Sequence, residues 1–239
     1  MNQILVTEKL YITPELKRKK KLFKMEFFLS VFLVCILSSY YIYAAYNRNE
    51  NEQVSQQILS EIRSDETVKK ADKNDVMVIV LDSNQSNKEE EPIVEKADIK
   101  SNTYTASNGK KYSMEAIVTV PSIGISYPVL TETSDKLLEI SVNKYWGPGP
   151  NEIGNYCIVG HNYRNGKMFG KLSELTNGDV VELEDLSGEI VKYKVYNKYV
   201  VNPTNTRCTS QLTNGKRELT LITCTNYGQQ RLVVKCRAV

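Results

Sequence analysis

The sequence holds a single histidine. That scarcity excludes a multi-histidine metal centre, and any imidazole acid–base chemistry must fall on His161. Charge of one sign is also scarce: 31 Lys and Arg stand against 28 Asp and Glu, a net charge of +3. Much of the basic excess is gathered in residues 17–21 and at Lys24. Nucleic-acid binding calls for a basic face on the folded part, which this distribution does not supply. Internal repeats and low-complexity tracts are missing, so repeat architectures are excluded. Long apolar runs are absent but for one.

That run extends from Phe27 to Tyr46 without a charge, and as a helix it would be about 30 Å long, the hydrocarbon thickness of a bilayer. The basic cluster before it predicts a cytoplasmic N-terminus. Tyr40, Tyr41, Tyr43 and Tyr46 suit the far interface, which places the C-terminal part outside. A cleaved signal peptide with a small-residue site at Ala44-Ala45 is the competing reading, although its apolar region would be unusually long. The retained-anchor reading divides the chain into a basic N-terminus (1–26), a transmembrane helix (27–46), an extracytoplasmic stalk or linker (47–110) and a folded domain (111–239).

Within the linker, Val54, Ile58 and Ile62 recur four apart and draw a thin apolar stripe on a helix over 49–71, marginal if it stood alone. Residues 76–81 form a short apolar, β-branched run. Residues 83–100, with Glu89-Glu90-Glu91-Pro92, lack the hydrophobicity to fold and read as a spacer.

From Met114 onward, short β-rich runs alternate with Gly, Pro and Asn. Strands are expected over 116–121, 125–130, 156–161, 179–186, 189–202, 218–224 and 231–239, with a short helix over 134–140. Pro128 suggests an edge. The run Trp146-Gly147-Pro148-Gly149-Pro150 enforces an irregular loop, because prolines withhold backbone donors. About seven or eight short strands with only minor helices predict a mainly β domain, either a closed antiparallel-rich barrel or a sandwich.

His161 follows Ile158-Val159-Gly160, Cys224 follows Thr220-Leu221-Ile222-Thr223, and Arg231 opens the last apolar run. A thiol needs a base or a positive field to become a nucleophilic thiolate, and a guanidinium can hold the oxyanion formed when it attacks a carbonyl. Each residue also has a structural reading: a satisfied histidine at a strand end, a buried cysteine, an exposed strand-end arginine.

The order Gly160-His161, Thr220-Leu221-Ile222-Thr223-Cys224 and then Arg231 resembles the signature of sortases, membrane-anchored cysteine transpeptidases of mainly Gram-positive bacteria. The likeness covers roughly residues 112–239. It implies a sortase-like closed β-barrel of about eight strands with short helices, preceded by a stalk and one N-terminal transmembrane helix. It implies Cys224 as nucleophile, His161 as acid and base, and Arg231 as the group that binds the substrate carbonyl and oxyanion, with Thr223 and Asn162 as substrate contacts. The partners implied are surface proteins bearing a C-terminal sorting signal of the Leu-Pro-x-Thr-Gly type, and a peptidoglycan precursor or other amine acceptor. No metal and no organic cofactor is implied. The implied location is the cell membrane, single-pass. Residues 160–170 resemble class B sortases most, while the short stretch 202–218 leaves class D or class A open.

Two other classes remain open: a membrane-tethered cysteine peptidase or hydrolase that passes the acyl group to water, and a non-catalytic surface binding module. Cys157, Cys208 and Cys236 are expected as free, mostly buried thiols, with a disulfide among them the alternative. The acidic run Glu182-Leu183-Glu184-Asp185 reads as a solvated face, since calcium needs six or more oxygens and this is one strand end.

Overall fold

The apolar run becomes part of one continuous helix, α1 (Pro14–Asp72), in a computed structural model that describes residues 13–72, 102–106 and 109–239. Two expectations, the strand-like run at 76–81 and the spacer at 83–100, lie outside the described residues. The chain divides into two compact units, one ending at Asn49 and the other running from Glu50 to Val239. In the first unit α1 is long and apolar enough to cross a membrane, and its large apolar side chains, such as Leu29, Phe32 and Leu33, are exposed. In water that surface would be heavily penalised; in hydrocarbon it is the required lining.

The second unit is built on nine strands: β1 (Thr103–Thr105), β2 (Lys111–Val120), β3 (Ile125–Leu130), β4 (Val142–Trp146), β5 (Gly154–Gly160), β6 (Val180–Asp185), β7 (Ile190–Val201), β8 (Arg217–Thr225) and β9 (Gln230–Ala238). Their order is β1-β2-β3-β4-β5-β8-β9-β7-β6, and β6 pairs back onto β2. The strands from β2 to β9 therefore close into a barrel, with β1 appended to β2. Closure leaves little free edge to manage, which resolves the choice between barrel and sandwich. The pairings are antiparallel except β3–β4 and β5–β8. The edge expected at Pro128 is not there: β3 lies between two partners, with Pro128 opposite Ile117 of β2 and β4 joining on the other side only from Val129.

Alternation along the strands fills the barrel. Ala116, Val118 and Val120 from β2, Tyr156 and Ile158 from β5, Leu219 and Leu221 from β8, and Val234 and Cys236 from β9 share one buried cluster. The short helix α2 (Asp135–Ile140) begins where expected because Ser134 caps it, its hydroxyl accepting from the Leu137 N–H.

The linker stretch differs from its sequence reading in two places. Helix α1 is not left standing alone: Val54, Ile58, Leu59 and Ile62 are buried with Tyr104, Tyr112, Met114, Ile117, Leu130 and Ile140. Tertiary burial, worth about 1.5–3 kcal/mol for each such aliphatic side chain, is what a helix with so thin a stripe needs. Residues 103–105, also within the stretch assigned to the linker, pair with β2 as β1.

Candidate active site

The parity of three neighbouring strands builds the site. On β8 the residues facing away from the barrel core are Glu218, Thr220, Ile222 and Cys224. Their partners on β9 are Arg237, Lys235, Val233 and Arg231. In the parallel β5 ladder Asn155, Cys157 and Val159 stand beside Glu218, Thr220 and Ile222. Directly opposed residues leave a sheet on the same face, so the outer face is layered in rows. His161, one residue past the end of β5, continues the last row beside Cys224.

That row opens into a cleft of about 370 Å³, whose walls include His161, Cys224 and Arg231 together. The three residues singled out from the sequence are thus brought together, at the ends of three adjacent strands. Thr223 and Asn162 are placed differently. Thr223 is 1% exposed and its hydroxyl donates to the Gly160 carbonyl at 2.7 Å, so it locks β8 to β5 and does not line the cleft. Asn162 is also off the lining; its Nδ2 donates to the Cys224 carbonyl at 2.7 Å, tying the histidine loop to the cysteine strand.

The remaining walls were not legible in the sequence. Thr133, Asp135, Leu138 and Tyr145 form one side, and Val201, Pro203, Asn205, Thr206 and Thr209 the other. The turn-rich composition of 202–206 marks a loop, but only the pairing of Val201 with Arg231 places that loop over the site.

Each candidate side chain has a defined setting. Burial lowers the His161 pKa from its ordinary 6.5, and the carboxylates of Glu139 and Asp135 partly oppose this. The imidazole is therefore biased toward its neutral, base-competent form. Its ring lies 5.1 Å from that of Tyr163. Arg231 Nη1 donates to the carbonyls of Gly228 at 2.8 Å and Gln230 at 3.1 Å. Those two bonds anchor one arm of the guanidinium on the turn that follows β8.

Beneath the row of Cys224 and Arg231 lie an apolar row and then a buried ionic one. Cys208 packs with Ile222 and Val233. Lys235 Nζ donates to the Thr220 hydroxyl at 2.9 Å and pairs with Glu218 at 3.3 Å, while Arg237 and the Tyr196 hydroxyl also reach Glu218. Burial works against the Glu218 charge, but Arg237, Lys235 and Tyr196 outweigh it and hold its pKa below 4.5.

Cys157, Cys208 and Cys236 are free and buried. Burial pushes the thiols of Cys157 and Cys236 up to about 12 and also raises Cys208. At the end of β6, Asp185 accepts from the backbone N–H groups of Ser187 and Glu189 at 2.9 and 3.0 Å. It shapes the β6–β7 hairpin.

The family model described as the Sortase domain matches residues 118–239, about half the chain and nearly all of the barrel. The chain belongs to the sortase family, whose members are cysteine transpeptidases. Among solved structures, sortase A from Corynebacterium diphtheriae, a lid mutant, is 25% identical, with a TM-score of 0.50 over 56% of this chain and 74% of that one. A sortase D5 transpeptidase from Clostridium perfringens is 26% identical, with a TM-score of 0.49 over 53% of this chain and 79% of that one. Sortase C-1 from Actinomyces oris is 32% identical, with a TM-score of 0.48 over 52% and 73%. No curated protein matches.

Proposed function

We propose that this sortase cleaves a Leu-Pro-x-Thr-Gly-like sorting signal through a thioacyl enzyme and transfers the acyl group to a cell-wall amine. The observation that carries the reading is the convergence of Cys224, His161 and Arg231 on one cleft. His161 takes the proton of the Cys224 thiol, the Sγ so freed attacks the threonine carbonyl carbon, and the electron pair displaced onto oxygen is held by Arg231. The C–N bond then breaks as His161 gives its proton to the leaving amine, leaving a thioester on Cys224. The incoming amine passes a proton to His161 and attacks the thioester, and the thiolate leaves. A thiol suits the task because it attacks well, leaves well, and gives an ester that an amine can intercept.

The basic cluster at 17–21 and Lys24 supports a cytoplasmic N-terminus, with 27–46 as anchor and the 111–239 domain outside. The partners are then surface proteins with a C-terminal sorting signal and a peptidoglycan precursor or other amine. The test is incubation of the full chain in detergent micelles with a pool of such peptides and candidate amines, followed by mass spectrometry beside Cys224→Ala. An amine-linked product ending at threonine, absent with the variant, is expected. Release of free acid alone with every amine would instead identify a hydrolase.

A further inference from the structure

Tyr127 of β3 is 4% exposed, yet its hydroxyl joins two parts of the domain that are far apart in sequence. It donates to Glu52 Oε1 at 2.9 Å and accepts from the Met168 N–H at 3.0 Å. Glu52 belongs to the stretch of α1 that packs on the barrel. Met168 belongs to the loop that carries His161.

The acceptor side of this relay holds a strained residue. Met168 is 1% exposed, with φ of +49°, a left-handed conformation that costs a side-chain-bearing residue about 1–2 kcal/mol. Strain of this kind persists where neighbours over-determine it. Met168 forms an antiparallel bridge with Asn162, the Phe169 N–H donates to the His161 carbonyl at 3.0 Å, and Asn162 reaches the Cys224 carbonyl. The Tyr127 oxygen thus holds the far side of a short loop whose near side carries the imidazole and touches the cysteine strand.

The donor side fixes the polarity of the hydroxyl. A phenol has one proton, and with that proton committed to Glu52 an oxygen lone pair is turned toward the Met168 N–H. Burial raises the Tyr127 pKa, so the proton stays in place across the physiological range. The same helix also reaches the opposite wall: the Ser55 hydroxyl donates to that of Ser141 at 3.3 Å, and Ser141 ends α2, whose Asp135 and Leu138 line the cleft.

We propose that Tyr127, oriented by Glu52, is a positioning residue for His161, which makes residues 50–63 of α1 part of the catalytic apparatus as well as a link to the anchor. The inference rests on the reading of His161 as acid and base. The experiment compares the full chain in micelles with Tyr127→Phe, Glu52→Leu and Glu52→Gln, measuring kcat and KM for peptide cleavage at temperatures where thermal unfolding shows each to be folded. The His161 Hε1 resonance of each is recorded without substrate. Tyr127→Phe is expected to lower kcat about tenfold or more with KM within about twofold, and to shift the resonance. Glu52→Leu moves both in the same direction, and Glu52→Gln, whose carbonyl still accepts the hydroxyl, restores both. An unchanged kcat or an unmoved resonance in folded Tyr127→Phe overturns the proposal; should that variant not fold, the same results for Glu52→Leu do so. Full activity in His161→Ala or Cys224→Ala would instead bring down the catalytic reading itself, leaving the resonance to decide whether Tyr127 positions the loop.

Discussion

Cys224 and Arg231 are direct partners across the β8–β9 ladder, so the thiol and the guanidinium leave the sheet side by side on the face that floors the cleft. Only a tight turn joins the two strands, and Gly228 within it and Gln230 at the start of β9 anchor Arg231. Cys224 is half-buried, whereas Cys157, Cys208 and Cys236 are buried. A charged methanethiosulfonate reagent, applied to the full chain in micelles that cover Cys35, is expected to modify one thiol rapidly. Mass spectrometry of a digest should find it at Cys224, and Cys224→Ala should abolish the fast phase. Fast labelling of Cys208 instead would mean that the loop over the site opens more readily than the cysteine strand is reached.

The strands other than β1 and β4, together with α2 and the three cleft residues, were legible in the sequence because each is signalled locally. Alternation marks β8 and β9, Ser134 marks the start of α2, and Gly160-His161 sits at the end of an apolar run. What escaped depends on pairing. Thr223 looks like a neighbour of the site until the β5–β8 register turns its hydroxyl onto Gly160. The stripe at Val54, Ile58 and Ile62 looks marginal until the aromatic and aliphatic side chains of β1 and β2 cover it. No local signal says which surface an amphipathic helix will meet.

Asn143 is fully buried, and among the described residues neither its Oδ1 nor its Nδ2 finds a partner. An unsatisfied buried polar group costs about 1–3 kcal/mol. Asn143→Leu, close in shape, is therefore expected to raise the midpoint of thermal unfolding. A lower midpoint would mean that a bound water or group meets the carboxamide in solution.

Lys235 and Glu218 are each 8% exposed, and their pairing closes the ionic row beneath the cleft. Lys235→Met removes one partner and leaves Arg237 to hold the carboxylate, so the loss should be about 2–3 kcal/mol, below the usual cost of breaking a buried pair. The folded-state pKa of Glu218 is depressed below 4.5. Its contribution is therefore complete above that value and is lost as pH falls below it. Denaturation curves at neutral and acid pH should show the stability gap between the wild type and Glu218→Gln closing on acidification.

Gly170 ends the histidine loop under tight constraint. A Cβ there would come within 2.2 Å of the Tyr163 carbonyl oxygen and 2.9 Å of the Gly166 Cα. Both are backbone atoms that cannot rotate away. Gly170→Ala should cost about 1–3 kcal/mol through overpacking and lower kcat by displacing the loop; unchanged melting and turnover would show that the loop has room the packing denies.

With one imidazole in the chain, a single His Hε1 resonance reports directly on the cleft. Burial lowers the His161 pKa below 6.5, while Glu139 and Asp135 pull it upward. An NMR titration of the full chain in micelles should therefore give a midpoint below 6.5. Asp135→Asn with Glu139→Gln should lower it further by removing the two opposing charges. The linkage follows with a definite sign: the unfolded chain takes up the proton at higher pH than the folded one, so this group costs nothing above the unfolded pKa and destabilises progressively as pH falls below it. His161→Asn should lose less stability than the wild type over that acid range. A midpoint above 6.5, or one lifted by removing the carboxylates, would mean that the imidazole is more hydrated than its walls imply, and the bias toward a neutral base would go with it.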